Sequence, residues 1–441
     1  MLWQQTVEYA SLSDIGFRRK NNQDCCTVLI AANEESWRRR GHFFMVADGM
    51  GGHAVGELAS KIAVDTVPHS FQKIKDLAAD EALRRAIIDA NHAIHERGEQ
   101  NRDFHDMGTT CTTLVLLPEG AVVGHVGDSR LYRIRGERIE QLTFDHSLQW
   151  ELLRQGIRRR EDILLHEPRN VITRCLGPEP AVEVDIEGPL PVLPGDVYLL
   201  CSDGLTGLVS DEEIGMIGRT LAPADACRLL VNLANLRGGT DNITVIIARV
   251  GGIPQGLTDV DGVRDDDGRN WQAWGWLIGN WALAILFVAA VSLLLFGKPV
   301  EGVLILGVLA FCASGMLLTW IKLNQGLRPR RTDRSHHWQP YRTASARLNP
   351  RFLSQLASLE HVLHQTAAEE GWSIDWAEHK TAYERAKNSL QSRSYVTALQ
   401  ELGNAIQVLM SGIQQQRKRI THAARWGKPA SSESKAETSA E

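Results

Sequence analysis

Along the first 250 residues, short runs of β-branched and aliphatic residues alternate with stretches of helical period. The runs His42–Ala47, Thr109–Leu117, Ala121–Val126, Leu131–Arg135, Val197–Ser202 and Asn242–Val250 predict strands. Between them, Ala82–Arg97 sets Ala82, Ala86, Ile87, Ala90 and Ile94 on one helical face, and Ala224–Leu236 repeats the pattern. From Thr109 to Arg135 the strands follow one another directly, with Pro118-Glu119-Gly120 as a turn, which predicts antiparallel pairing. The expected class is α+β, with sheets covered by helices.

The pattern breaks near residue 250. Residues 251–270, rich in Gly, Pro and Asp, read as a linker. Two apolar runs follow, roughly 274–296 and 300–321, inside an expected hairpin at 271–322. Each is about long enough for a ~30 Å hydrocarbon layer at 1.5 Å per residue. Trp271, Trp274, Trp276, Trp281 and Trp320 fit an interfacial belt, and Arg328, Arg330, Arg331 and Arg334 follow closely. The expectation is two transmembrane helices, with the soluble parts on the cytoplasmic side of the inner membrane and the lipid bilayer as a partner. The alternative is a hairpin buried in protein. A basic linker, 323–347, leads to a helical region, 348–420. There Leu353, Leu356, Leu359, Val362 and Leu363 make one apolar face, and two further helices lie near 374–390 and 395–413. One helix pair faintly resembles a tetratricopeptide unit, which cannot bury its face alone. Helical packing without a specific partner is the first reading, and a protein partner for these helices is the alternative. The tail, 421–441, reads as disordered.

Composition adds limits. The chain has 441 residues with 43% hydrophobic and 23% charged, normal for globular domains, and a formal net charge of −5 that does not suggest a nucleic-acid partner. Its 7 cysteines show no C-x-x-C spacing, which fits reduced thiols rather than a zinc site or a disulfide framework.

Candidate chemistry lies in aspartates at strand–turn junctions: Asp48 in FFMVADGMGGH, Asp128 in VGHVGDSRLY, Asp203 in YLLCSDGLTG and Asp241 in GGTDNITVI, with Asp24 closing SDIGFRRKNNQD. Singly, each is explained by the turn preference of Asp-Gly and Asp-Asn. Together, carboxylates at the ends of neighbouring strands would repel one another unless some stayed protonated or a hard divalent cation joined them. Cys201, beside Asp203, reads as a small buried apolar residue. Glu57 reads as a helix residue.

In order and spacing, SDIGFRRKNNQD, VADGMGGH, GTT, GDSR, SDGL and GGTDNIT resemble the metal-dependent protein phosphatases, the protein phosphatase 2C-like family, over roughly residues 8–250. The resemblance implies a four-layer α-β-β-α sandwich occupying residues 1–250, with two Mn²⁺ or Mg²⁺ ions in a cleft and a place for a third. It implies that Asp48 bridges the metals and that the Gly49 carbonyl helps bind one. Asp203 and Asp241 would serve the other site, Asp24 would ligate directly or through water, and Asp128 with Asp203 would hold the third ion. Asp48, Asp203 and Asp241 are the implied catalytic set, and Arg19 the implied phosphate grip, with Arg18 as its neighbour. The implied reaction is hydrolysis of phosphoserine and phosphothreonine in kinase substrates by activated water. Gln23 and Met50 depart from many eukaryotic relatives, which carry a metal-binding Glu and a His there, and the role of His53 stays open. Two other readings are a membrane-anchored scaffold or sensor with a phosphatase-like fold, and a phosphatase for small esters. Residues 147–170, with Arg158, Arg159 and Arg160, would form a flap beside the cleft.

Overall fold

The computed structural model describes residues 7–52, 55–104, 106–155, 171–251 and 340–426, with positions 291, 295, 298, 300, 305–307 and 310. The chain divides into two units, Met1–Gly262 with Trp338–Glu441, and Val263–His337. The described positions of the second unit are mostly helical.

The first unit holds two six-member antiparallel sheets. One runs β1 (Val7–Asp14), β11 (Ile243–Val250), β10 (Val197–Cys201), β7 (Arg130–Arg135), β8 (Arg138–Gln141) and β12 (Arg342–Ser345). The other runs β2 (Asp24–Leu29), β3 (His42–Met50), β5 (Cys111–Leu117), β6 (Gly120–Val126) and β9 (Asp185–Leu190), with the short β4 (Gly108–Thr109) pairing β3.

The two-residue period of a strand explains the layers. On β3, Phe44 and Val46 meet the opposite sheet, where they join Tyr198 and Leu200 of β10 and Ile246 and Ala248 of β11. The alternate residues Phe43, Met45 and Ala47 face the other way, onto α2 (Val55–Lys73) and α3 (Ala79–Glu99). Likewise Leu199 and Cys201 of β10 and Val245 and Ile247 of β11 turn to α6 (Asp211–Thr220) and α7 (Pro223–Leu236). Both faces of these strands are buried, so their sequences are continuous apolar runs rather than alternating ones. The expected α-β-β-α sandwich is therefore present. Smaller helices are α1 (Glu34–Arg40), α4 (Leu148–Gln155) and α5 (Asp203–Thr206).

The chain returns to this sandwich after residue 340. β12 extends the first sheet along β8, and α8 (Pro350–Glu369), α9 (Trp376–Gln391) and α10 (Tyr395–Trp426) follow. Phe352, Leu353, Leu356, Leu399, Leu402, Ile406 and Leu409 share one core with Leu229, Leu230 and Leu233 of α7. Asn232 on α7 donates to Gln407 Oε1 at 2.7 Å. Leu353, Leu356, Leu359 and Leu363 of the predicted apolar face are thus covered by the chain itself, whereas Val362 is 59% exposed.

The transmembrane expectation requires correction. Among the described residues no helix is long and apolar enough to cross a membrane. That overturns the two-helix hairpin and, with it, the inner-membrane placement that rested on it. The reading rested on the length of the apolar runs and on the tryptophans and arginines that flank them, and a span needs about 20 apolar residues in one continuous helix. Most of the two apolar runs lies outside the described residues, as do the 251–270 linker apart from Gly251, flap residues 156–170, His53 and the tail beyond 426.

Candidate active site

The up-and-down strand order brings all five aspartates to one end of the sandwich. β3 runs toward that end and carries Asp48 near its close, and antiparallel β2 begins there with Asp24 directly opposite. β10 ends there, two residues before Asp203, and β11 begins there, two residues after Asp241. Asp128 sits where the chain crosses from β6 in one sheet to β7 in the other. Asp24 and Asp241 thus open strands rather than close them, and Asp48 lies within its strand. The strands' alternating direction makes these positions equivalent.

A hydrogen-bonded frame holds the segments that carry Asp48, Asp24 and Asp241. The Asp48 N–H donates to Thr110 Oγ1 at 2.9 Å, and its carbonyl accepts from Thr110 N at 2.8 Å and Thr109 Oγ1 at 3.0 Å. The GTT motif thereby fixes the end of β3. Gly49 is needed because a Cβ there would lie 2.0 Å from the Gly56 carbonyl oxygen, where α2 approaches. Ser202 Oγ donates to Asp24 Oδ2 at 2.7 Å and accepts from Thr244 N at 3.0 Å, tying the two sheets together beneath the site. Asn242 joins the Asp241 turn to the loop before β2. Its Oδ1 accepts from Gln23 N at 2.8 Å, and its Nδ2 donates to the carbonyls of Ile15 and Asn21 at 2.9 and 3.0 Å. Sequence reasoning quoted their motifs but gave no role to Ser202, Asn242 or Thr110. The available signal was that Ser202 and Asn242 flank aspartates and that Thr110 lies in GTT.

The electrostatics follow from crowding. Burial, then the carboxylates of Asp24, Asp203, Asp128 and Asp241, push Asp48 well above the usual range, although part of its surface opens to the cleft. Burial raises Asp24 to about 6 against the opposing hydrogen bonds of Thr244 and Ser202. Asp128 rises to about 8, through burial and then Asp203. Asp203 rises to about 6, through burial and Asp241. Asp24 Oδ1 and Asp128 Oδ1 are buried with no hydrogen-bond partner among the described residues. Among the described residues no three acidic, His or Cys side chains close into a ligand cage. The arrangement is instead an open ring of oxygen donors carrying more negative charge than it neutralises. Buried carboxylate oxygens in an all-oxygen set fit hard divalent cations, and among the described residues no His or Cys cluster competes.

Arg19 stands at the rim. Its guanidinium donates to Asp241 Oδ2 at 2.6 Å, with the Arg side chain 48% exposed and the Asp 24%. The hydrogen bond to Asp241 raises its pKa further. Arg18 is exposed, and its N–H donates to the Gly239 carbonyl. Cys201 is fully buried, which pushes its thiol up and leaves it inert. Glu57 lies in α2.

A cavity of about 620 Å³ adjoins the carboxylates. Asp128 and Asp203 line its inner end, while Trp150 of α4 and Tyr341 and Arg342 from the returning chain line its outer walls. The Arg342 guanidinium lies 5.7 Å from the Trp150 ring centre, and Arg130 is held by Asp145 at 2.6 Å.

Comparison with known proteins places these features. The sequence pattern described as Protein phosphatase 2C matches residues 18–235. Protein phosphatase PhpP of Streptococcus pneumoniae is 37% identical over 251 residues, 55% of this chain and 96% of PhpP. Serine/threonine phosphatase stp of Listeria monocytogenes is 40% identical over 210 residues, 46% of this chain and 82% of that protein. Among solved structures, the S. agalactiae serine/threonine phosphatase shares 33% identity with a TM-score of 0.50, covering 56% of this chain and 100% of that one.

Proposed function

This chain belongs to the protein phosphatase 2C family, and on that premise we propose that it removes phosphate from phosphoserine and phosphothreonine in proteins, at a divalent-metal centre held by Asp24, Asp48, Gly49, Asp128, Asp203 and Asp241. The observation that carries the site assignment is the convergence of five carboxylates from both sheets on one end of the sandwich, two of them with buried oxygens that lack a partner. Divalent ions, Mn²⁺ or Mg²⁺, would lower the pKa of water and draw charge from the phosphoryl oxygens.

The residues of this chain have separable tasks. Asp48 and Asp24, fixed opposite each other by the β2–β3 register, would hold one side of the centre. Asp203 and Asp241, at the ends of adjacent β10 and β11, would hold the other. The Gly49 carbonyl would add a neutral donor, and Asp128 with Asp203 would serve a further ion. Arg19 stays cationic beside Asp241 and presents a planar donor pair to a phosphate arriving at the rim. The cleft leaves the five carboxylates within one electrostatic field, so the phosphoryl charge of the substrate enters only against neutralised donors. No nucleophilic side chain is required, in keeping with a buried, protonated Cys201.

A scaffold that has lost catalysis would be expected to lose carboxylates, and this chain retains all five aspartates, with Gln23 the one departure from a Glu found in many eukaryotic relatives. The deciding experiment uses the full-length protein and a phosphothreonine peptide, with phosphate release measured in EDTA, after adding Mn²⁺, and in Asp48→Asn. Release that depends on Mn²⁺ and is absent from Asp48→Asn supports the reading. Release that is insensitive to EDTA, or undiminished in Asp48→Asn, removes the metal assignment.

A further inference from the structure

The C-terminal helix reaches the catalytic end. Near the close of α10, Arg417 Nη1 donates to the Gly16 carbonyl at 3.2 Å and Nη2 to the Phe17 carbonyl at 3.1 Å. The same guanidinium lies over the Phe17 ring, 4.3 Å from its centre. From the other side, Phe17 N and Arg18 N both donate to the Gly239 carbonyl, at 2.8 and 3.0 Å. Gly16 has φ +77°, and a Cβ there would lie 2.2 Å from the Asp241 carbonyl oxygen. The loop leading to Arg19 is therefore held between the turn that bears Asp241 and one side chain from residue 417.

We infer that Arg417 is a positioning residue for the phosphate-binding loop, so that the C-terminal helical bundle sets the affinity of the site for phosphate through Arg19. The inference rests on the reading of Arg19 as the phosphate grip. A cation bonded to two successive carbonyls and stacked on the intervening ring fixes both the direction of the peptide units and the side of the loop that faces the cleft. Arg19 follows Phe17 by two residues and already spans to Asp241 at 2.6 Å. A shift of its backbone would take the guanidinium out of register with a phosphate held by the carboxylate-bound ions, because a planar donor pair tolerates little misplacement. Among the described contacts Arg417 meets Gly16 and Phe17 and none of the five carboxylates, and these contacts reach the site through the loop.

The test compares the full-length wild type with Arg417→Ala, Arg417→Lys, Arg19→Ala and the double variant Arg19→Ala/Arg417→Ala. The measurements are KM and kcat for a small aryl phosphate and the inhibition constant of inorganic phosphate, each with saturating Mn²⁺. Arg417→Ala is expected to raise KM and the phosphate inhibition constant roughly fivefold, the scale of one ordinary hydrogen bond, with a smaller change in kcat. Arg417→Lys keeps the charge and stem and should recover part of that affinity, which separates positioning from damage to the fold. In the Arg19→Ala background, the second substitution should add nothing. An equal loss with and without Arg19, or an unchanged KM in Arg417→Ala, overturns the role of Arg417. An unchanged KM in Arg19→Ala alone overturns the assignment of Arg19 instead.

Discussion

Asp128 offers the sharpest test of the idea that the site is built for cations and strained without them. The unfolded carboxylate titrates near its ordinary 3.8, whereas in the folded, metal-free protein burial and Asp203 hold it at about 8. Between those values the folded state binds the extra proton. Its stability is therefore greatest below pH 4, falls as pH rises, and reaches its full loss above pH 8. The gap between 3.8 and about 8 corresponds to at most about 6 kcal/mol, since the neighbouring carboxylates share the same protonation. Asp128→Asn removes the charge but leaves an amide in a place where one oxygen already lacks a partner, which costs about 1–3 kcal/mol.

The net gain at pH 9 is then about 3 kcal/mol, which at roughly 2 °C per kcal/mol for a large unit means a rise in melting temperature of about 6 °C. At pH 5 the carboxyl is protonated in the folded state, so the advantage should shrink to little or reverse. Circular-dichroism melts in EDTA across pH 5 to 9 measure both effects. Mg²⁺ added at pH 8 should raise the wild type more than Asp128→Asn, because the ion then supplies the compensation that the substitution supplies covalently. A wild type whose EDTA melt is flat across this range, or an Asp128→Asn protein no more stable at pH 9, would refute the electrostatic account of the site.

Three further outcomes follow from the contacts described. Asp203→Ala should lower phosphopeptide hydrolysis by at least about 100-fold while leaving the metal-free fold at least as stable as the wild type, read by phosphate release and by melting in EDTA. Tyr341→Ala and Arg342→Ala should raise KM for phosphopeptides severalfold and leave small aryl phosphates unchanged, because both residues line only the outer cavity wall; equal effects on both substrates would count against that cavity holding peptide. Ending the chain at Val250 should lower stability and expose dye-binding apolar surface, because α7 would lose Phe352, Leu399, Leu402 and Ile406 from its core; dye fluorescence and melting report it.

What the sequence could disclose depended on how many faces of an element are buried. The six predicted strands, all apolar runs, are present within a few residues, since two-sided burial writes a continuous signal. β1, with VEYASLSD, and β2, with DCCTVL, escaped because their mixed composition reads as loop. α2 escaped behind its internal Pro68. The aspartates were legible as turn formers, but turn preference does not say which strand ends are neighbours; that came from motif order matched to a family. Ser202 and Asn242 were illegible for the same reason, as their partners lie 178 and 219 residues away in sequence. The helical face of α8 was legible and what covers it was not, since an apolar stripe carries no address. The hairpin was read from run length and flanking residues, and among the described residues no helix is long and apolar enough to cross a membrane.

The two ends of this architecture bear on one another. A ring of carboxylates at the strand ends is unfavourable until cations arrive, and it persists only because the frame around it is over-determined. Part of that frame is local: Thr110, Ser202 and Asn242 fix backbone positions regardless of charge. Part of it is remote. The bundle α8–α10 buries apolar side chains against α7, at about 1.5–3 kcal/mol for each large one, and α7 packs on β11, whose approach carries Asp241. A few such side chains offset a carboxylate penalty of the size worked out for Asp128. The same bundle sends Arg417 to the loop of Arg19. On the proposed reading of Arg19, the C-terminal helices both stabilise the strained end and tune its grip on phosphate. A ligand or modification that displaced α10 would act on both together, lowering phosphate affinity and metal-free stability in the same step.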